Sequence, residues 1–185
     1  MPCRPRARFL ARWALVGYVL AQVNIARLLA PLDSPLLAGF VERLDPVNAV
    51  ADAAPGFLWQ LQTEDGNATA VRAFEWDTAG SAGVITNMSV WESVEALGSF
   101  VYSDAHRQVM RRRRQWFERM TEAYTALWWI RRGHVPSTGE AEDRVRHLRA
   151  HGPTPYAFTL RLHFPPPGEE KQAPSTGRED WLCPA

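Results

Sequence analysis

His106 is the residue best suited to chemistry in this chain. It falls inside a well-patterned helical stretch, whereas His134, His147, His151 and His163 fall near predicted loops, solvent faces or strand ends. An imidazole titrates near neutrality, so a histidine aimed into a pocket can serve as general base, general acid or hydrogen-bond donor. The plainer alternative is a structural histidine bonded to its neighbours. Carboxamides accompany it: Gln22 and Asn24 share one face of a predicted strand, Gln60 and Gln62 a face of another, and Asn87, Ser89 and Trp91 a face of a third. A buried polar group left unpaired costs about 1–3 kcal/mol. These amides therefore either bond one another and nearby loops or point at a ligand held between sheet and helices. Arg111–Arg114 are consecutive and point around a full helical turn, so most face solvent and one can meet an anionic substrate at a cavity mouth. Trp116 and Phe117 cluster with Trp128 and Trp129, for which core packing is the default over stacking on a ligand.

The elements that must position these groups follow from periodicity and turn chemistry. Val19–Ala26 is an apolar, β-branched-containing run and reads as the first strand. Ser34 and Pro35 look like an N-cap with proline at the first helical position, and Leu36, Leu37, Phe40, Val41 and Leu44 keep helical spacing. Asp45-Pro46 interrupts, and Val47–Ala53 adds a turn or two. Phe57–Gln62 is the second strand, with Phe57, Trp59 and Leu61 on one face. Glu64–Asn67 has hairpin-turn chemistry, and Ala70–Trp76 extends the hairpin before a loop over Asp77–Gly83. Val84–Trp91 is the third strand, Ser93–Tyr102 a helix capped by Ser93, Asp104–Met120 a second helix and Tyr124–Arg131 the fourth strand. Trp128 and Trp129 then face opposite sides, one under helices and one in an interface. Ser137–His151 is a helix with Glu140 in the capping-box position, and Tyr156–Phe164 the last strand.

The order is β-α-β-β-α-β with an added α-β. That predicts an α+β, ferredoxin-like fold: one antiparallel sheet with helices on one face. The opposite sheet face is apolar and uncovered, which predicts a homodimer with those faces packed together.

Composition narrows the rest. Hydrophobic residues at 46% and charged residues at 22% fit a globular domain, expected over residues 19–167. A net charge of +1 gives no electrostatic reason to expect nucleic acid. Cys3 and Cys183 lie at opposite ends without metal-ligand spacing, which fits a reducing cytoplasm and no disulfide framework. Residues 1–18 form a basic extension with Arg4, Arg6, Arg8 and Arg12. They precede an apolar run but show no small-x-small cleavage site, and no stretch approaches the roughly 18–20 apolar residues of a membrane span. Residues 168–185 read as a polar, disordered tail. Gly-rich phosphate loops, HExxH, G-x-S-x-G and Cys/His clusters are absent from the sequence.

Several segments carry a family resemblance. LAQVNIARLLAPLDSP (Leu20–Pro35), DPVNAVADAAPGFLWQLQ (Asp45–Gln62), NMSVWESVEAL (Asn87–Leu97) and the later WW…GHVP and HGPTPYAFTLR resemble the bacterial domain-of-unknown-function 3291 family, from about Val19 to Pro167. The resemblance implies a dimeric α/β barrel of the antibiotic-biosynthesis-monooxygenase-like kind. SVWESVEALGSFVYSDAH is also similar to a stretch of heme-degrading monooxygenases, in which a strand-one Asn, a Trp on the first helix and a later His serve the site. Asn24 and His106 match in kind, Phe100 stands at the Trp position, and the spacer to His106 is shorter. The expected reading is a small-molecule enzyme working without a cofactor, by oxygenation or by acid–base chemistry such as dehydration or cyclisation. His106 and Asn24 would be catalytic, with Asn87, Trp91, Phe100, Tyr102, Trp116 and Trp129 lining the substrate. A non-catalytic ligand-binding dimer is the alternative, and a heme-binding protein a third.

Overall fold

β1 (Tyr18–Arg27) is an inner strand of the sheet in the computed structural model, which describes residues 17–63, 66–169 and 175–176. The basic extension before Gly17, the Glu64-Asp65 part of the predicted turn and most of the polar tail lie outside the described residues. After β1 come α1 (Pro35–Val41), α2 (Leu44–Ala53), β2 (Phe57–Gln60), β3 (Val84–Trp91), α3 (Val94–Val101), α4 (Asp104–Arg112), β4 (Thr125–Arg131) and α5 (Thr138–His151). The four strands lie in the order β2-β3-β1-β4, every neighbouring pair antiparallel. The predicted β-α-β-β-α-β order of the core is therefore present.

Local chemistry sets the helix starts. Ser93 accepts from Ala96 N (3.2 Å), Ser103 from His106 N (3.4 Å) and Ser137 from Glu140 N (3.1 Å), each satisfying an amide that the helix itself leaves open. Pro35 opens α1, where its missing N–H costs nothing.

The two sheet faces differ. One carries Leu20, Gln22 and Asn24 of β1, in register with Trp91, Ser89 and Asn87 of β3 and with Trp129, Leu127 and Thr125 of β4. The other carries Val19, Ala21, Val23 and Ile25, with Met88, Val90, Ala126, Trp128 and Ile130, all buried.

Elements of the same chain cover this second face. α5 lays Ala141, Val145 and Leu148 across it, and the segment around Ala73 and Phe74 completes the cover. The motive for a sheet-to-sheet homodimer is thus met within one chain, because α5 supplies the apolar stripe a partner would have brought. Trp128 is buried beneath α5, and its Nε1 donates to Glu140 Oε1 at 2.7 Å. Trp129 faces the other way, toward Phe158, so neither tryptophan needs an interface.

Expectations about individual elements change. A register irregularity between Phe57 and Trp59 turns β2, so Phe57 packs on Trp91 while Leu58 and Trp59 join the opposite cluster. Ala70–Trp76 forms no strand; its end enters a single 3-10 turn (Glu75–Asp77). α4 stops at Arg112 because Phe117 pairs with Leu28 just beyond β1, drawing the chain back to the sheet. Within Tyr156–Phe164, Phe158 exchanges backbone bonds with Leu127, but Thr159 then turns onto Leu162. Only β5 (Leu162–His163) is extended beyond that turn, and it pairs with β6 (Ser175–Thr176), inside the segment expected to be a disordered tail.

The Ala73–Asp77 strap is held by charge. Arg27 donates to Asp77 Oδ1 (2.6 Å) and to the Asp77 carbonyl (2.7 Å), and Arg149 of α5 makes a two-pronged contact with the same carboxylate (2.8 and 2.9 Å). Glu142 accepts from Phe74 N (2.7 Å) and Trp76 Nε1 (2.9 Å). Phe74 sits at φ 58°, a left-handed conformation that a large side chain tolerates only when its surroundings impose it.

Candidate active site

Helices pack on the amide-bearing face at its two ends. At one, Leu20, Phe57, Trp91 and Leu127 meet Ala51 of α2 and Val94, Leu97 and Val101 of α3. At the other, Leu28 and Ile85 meet Leu37 and Phe40 of α1 with Trp116. The middle rows, Gln60–Ser89–Gln22 and Asn87–Asn24, are left polar beneath a cavity of about 170 Å³.

His106 enters this cavity from the first turn of α4. Its Nδ1 lies 2.9 Å from the carbonyl of Val101, the last residue of α3. A carbonyl only accepts, so Nδ1 carries a proton, and in the neutral ring Nε2 keeps its lone pair. Burial lowers the His106 pKa, opposed in part by the Val101 bond, and the positive end of α4 works in the same direction as burial. The ring also leans on Phe100 (centroids 5.2 Å apart), which stacks on Trp91 (5.1 Å). We expect ring-nitrogen NMR to show His106 becoming cationic only at a lower pH than an exposed imidazole does. Titration at or above the exposed value would show that burial does not govern this ring.

The amides are partly tied. Asn24 Nδ2 donates to Thr125 Oγ1 at 2.9 Å, and Ser89 links Trp91 to Gln22. Arg43 and Arg113 also line the cavity, and among the described residues no acidic side chain does. Arg43 is held by the Gly39 carbonyl and lies over Trp116. Arg113 donates to Tyr124 Oη at 3.2 Å. The balance favours a bound anion over a cation.

The structure therefore brings together His106, Asn24, Asn87, Trp91 and Phe100, with Asn87 toward the mouth. It separates the other three expected lining residues. Trp116 is buried beside Phe40 under α1 (centroids 5.8 Å apart), and Trp129 Nε1 donates to Phe164 O at 2.7 Å. Tyr102 ends α3 and packs against the apolar cluster there. Of the arginine quartet, Arg113 reaches the cavity. Arg43, Met110 and Phe117 were not anticipated; they arrive through helix–sheet packing that no spacing in the sequence encodes.

A tetrapyrrole is larger than the drug-sized ligands that need roughly 300–1,000 Å³, so heme does not fit this cavity despite the available His106 Nε2. Among the described residues, no three His, Cys, Asp or Glu side chains converge as metal ligands. No helix there is long and apolar enough to cross a membrane.

Comparison with known proteins identifies the family. No curated protein matches the chain. A crystal structure from Chloroflexus aurantiacus J-10-fl, of a protein provisionally assigned as an antibiotic biosynthesis monooxygenase, is 14% identical, with 65% of this chain and 99% of that one covered and a TM-score of 0.34. A protein of unknown function from Rhodopseudomonas palustris is 16% identical, with 72% and 97% covered and a TM-score of 0.36. Neither likeness is close enough to lend this chain a function. The family model described as a domain of unknown function, DUF3291, matches residues 19–174, bearing out the resemblance read from the sequence; the chain belongs to that family.

Proposed function

We propose that this protein is a small-molecule enzyme that removes a proton from a ring-sized phenol or enol without a bound cofactor, with His106 Nε2 as general base. The observation that carries the reading is the placement of His106: it lines the cavity half-buried, its Nδ1 meets Val101 O, and burial lowers its pKa, which favours an unprotonated Nε2. The proton moves to Nε2 and leaves an anion. Asn24, Asn87, Arg43 and Arg113 are the groups available to hold it. An electron-rich anion of this kind can react with oxygen, lose water or cyclise, so one site serves all three outcomes. Size supports the substrate class, since an apolar cavity of about 150 Å³ holds a benzene ring and this one measures about 170 Å³.

The test uses para-nitrophenol, which absorbs in the visible only when ionised. Wild-type protein is expected to raise its phenolate absorbance at a pH below the phenol's solution pKa. His106→Gln, which keeps a donor for Val101 O but offers no comparable base, should bind the phenol without ionising it. His106→Ala should do the same while losing only about 1 kcal/mol of stability, the worth of one hydrogen bond. Equal ionisation by wild type and both variants would remove His106 as the base. Severe unfolding of both variants would restore the structural reading of this residue.

A further inference from the structure

The row Gln60–Ser89–Gln22 crosses three strands on the cavity floor, and all three side chains are at least nine-tenths buried. The indole of Trp91 can only donate, and its Nε1 donates to Ser89 Oγ at 2.9 Å. Ser89 must then place its own hydrogen, and the acceptor in reach is Gln22 Oε1 at 3.1 Å. A flipped Gln22 would make Ser89 accept twice and strand that hydrogen. Gln22 therefore turns its NH2 away from Ser89. Gln60 is fixed in the opposite sense: its Nε2 lies 3.2 Å from Asp52 Oδ1, and a carboxylate only accepts, so Gln60 turns its carbonyl oxygen away. Both residues line the cavity.

We infer that the cavity floor selects single rings that carry both a hydrogen-bond acceptor, met by Gln22, and a donor that stays protonated, met by Gln60. The substrate class narrows to monocyclic carbonyl compounds bearing a hydroxyl or N–H apart from the acidic group that meets His106, because the Gln60 oxygen repels an anion. The two glutamines stand two strand spacings apart, about 10 Å between backbones, a span that a ring with substituents on opposite sides can bridge. Trp91 and Asp52 are positioning residues: each acts on the ligand through the glutamine whose orientation it fixes. The inference rests on the cavity being the ligand site, but not on His106 being the base.

The experiment measures the affinities of three rings that do not engage a base: para-aminoacetophenone (acceptor and donor), acetophenone (acceptor only) and aniline (donor only). Wild-type protein should prefer the first over each of the others by roughly two- to tenfold, the worth of one neutral hydrogen bond. Gln22→Met should abolish the preference over aniline and keep that over acetophenone. Gln60→Met should do the reverse. Trp91→Phe, with folding verified by circular dichroism, should reproduce the Gln22→Met pattern, which a purely space-filling role would not. Equal affinity of wild type for all three rings would overturn the inference, and so would a Met variant that lowers both preferences alike. Failure of every ring to bind would overturn the cavity reading with it, whereas ring discrimination without phenol ionisation would dismiss only the base.

Discussion

Asp77→Ala is expected to remove about 3–5 kcal/mol of stability, the usual result of deleting one member of a buried charge cluster. Asp77 is only 4% exposed and sits between the guanidiniums of Arg27 and Arg149, themselves largely buried. Deleting the carboxylate leaves two cations facing each other, with only the more distant and half-exposed Glu122 (3.4 Å from Arg27) as counter-charge. For a domain whose stability is about 5–15 kcal/mol, that is enough to populate the unfolded state. Removing either arginine alone should cost less, because Asp77 keeps one partner. The same group sets a pH response. Burial raises the Asp77 pKa, but hydrogen bonds and charge from Arg149 and Arg27 outweigh it, and the folded value lies below the ordinary carboxylate range. The contribution is therefore full above about pH 4, the unfolded carboxylate value, and is lost as pH falls through the lower folded value. Urea unfolding of wild type and Asp77→Ala at neutral and acidic pH measures both effects. A variant within 1 kcal/mol of wild type, with unchanged acid sensitivity, would show that the cluster contributes no net stability.

Trp91→Ala should cost about 3–5 kcal/mol, as large-to-small changes in a closed core do. Trp91 is 1% exposed, meets Phe57 edge-on (5.2 Å) and stacks on Phe100 (5.1 Å). Trp91→Phe keeps most of that packing and should lose only about 0.5–1.5 kcal/mol, the worth of the bond to Ser89. The gap between the two variants separates volume from hydrogen bonding. Denaturant midpoints at matched slopes would measure it, and equal losses would mean that the indole nitrogen, not the ring, matters most.

These expectations lean on features of very different legibility. β3 was readable to the residue, because alternation and the Trp91-to-Ser93 handover are local signals. The Gln22/Asn24 face of β1 was readable for the same reason, and with it the polar patch that became the cavity floor. His106 could be singled out because it stood within a strong helical pattern. What escaped was non-local. No spacing says that α5 will fold back over Val19–Ile25, or that β2 will twist at Leu58. Trp116 and Trp129 looked like site residues only because aromatic type carries no information about which pocket a ring fills. Arg43 escaped because its role depends on α1 arching over the sheet, which only packing decides.

The strap between β2 and β3 also governs the order of events in folding. Asp77 is 50 residues from Arg27 and 72 from Arg149. Contacts across such separations form only after the entropy of long loops has been overcome, so the strap closes late, once α5 already lies on the sheet. Interactions absent from the folding transition state do little for the speed of folding and much for the slowness of unfolding. The Asp77 clasp is in that sense a timer: it sets how long the native chain lasts before it opens, and its first opening uncovers Phe74 and the apolar sheet face while leaving the cavity side undisturbed.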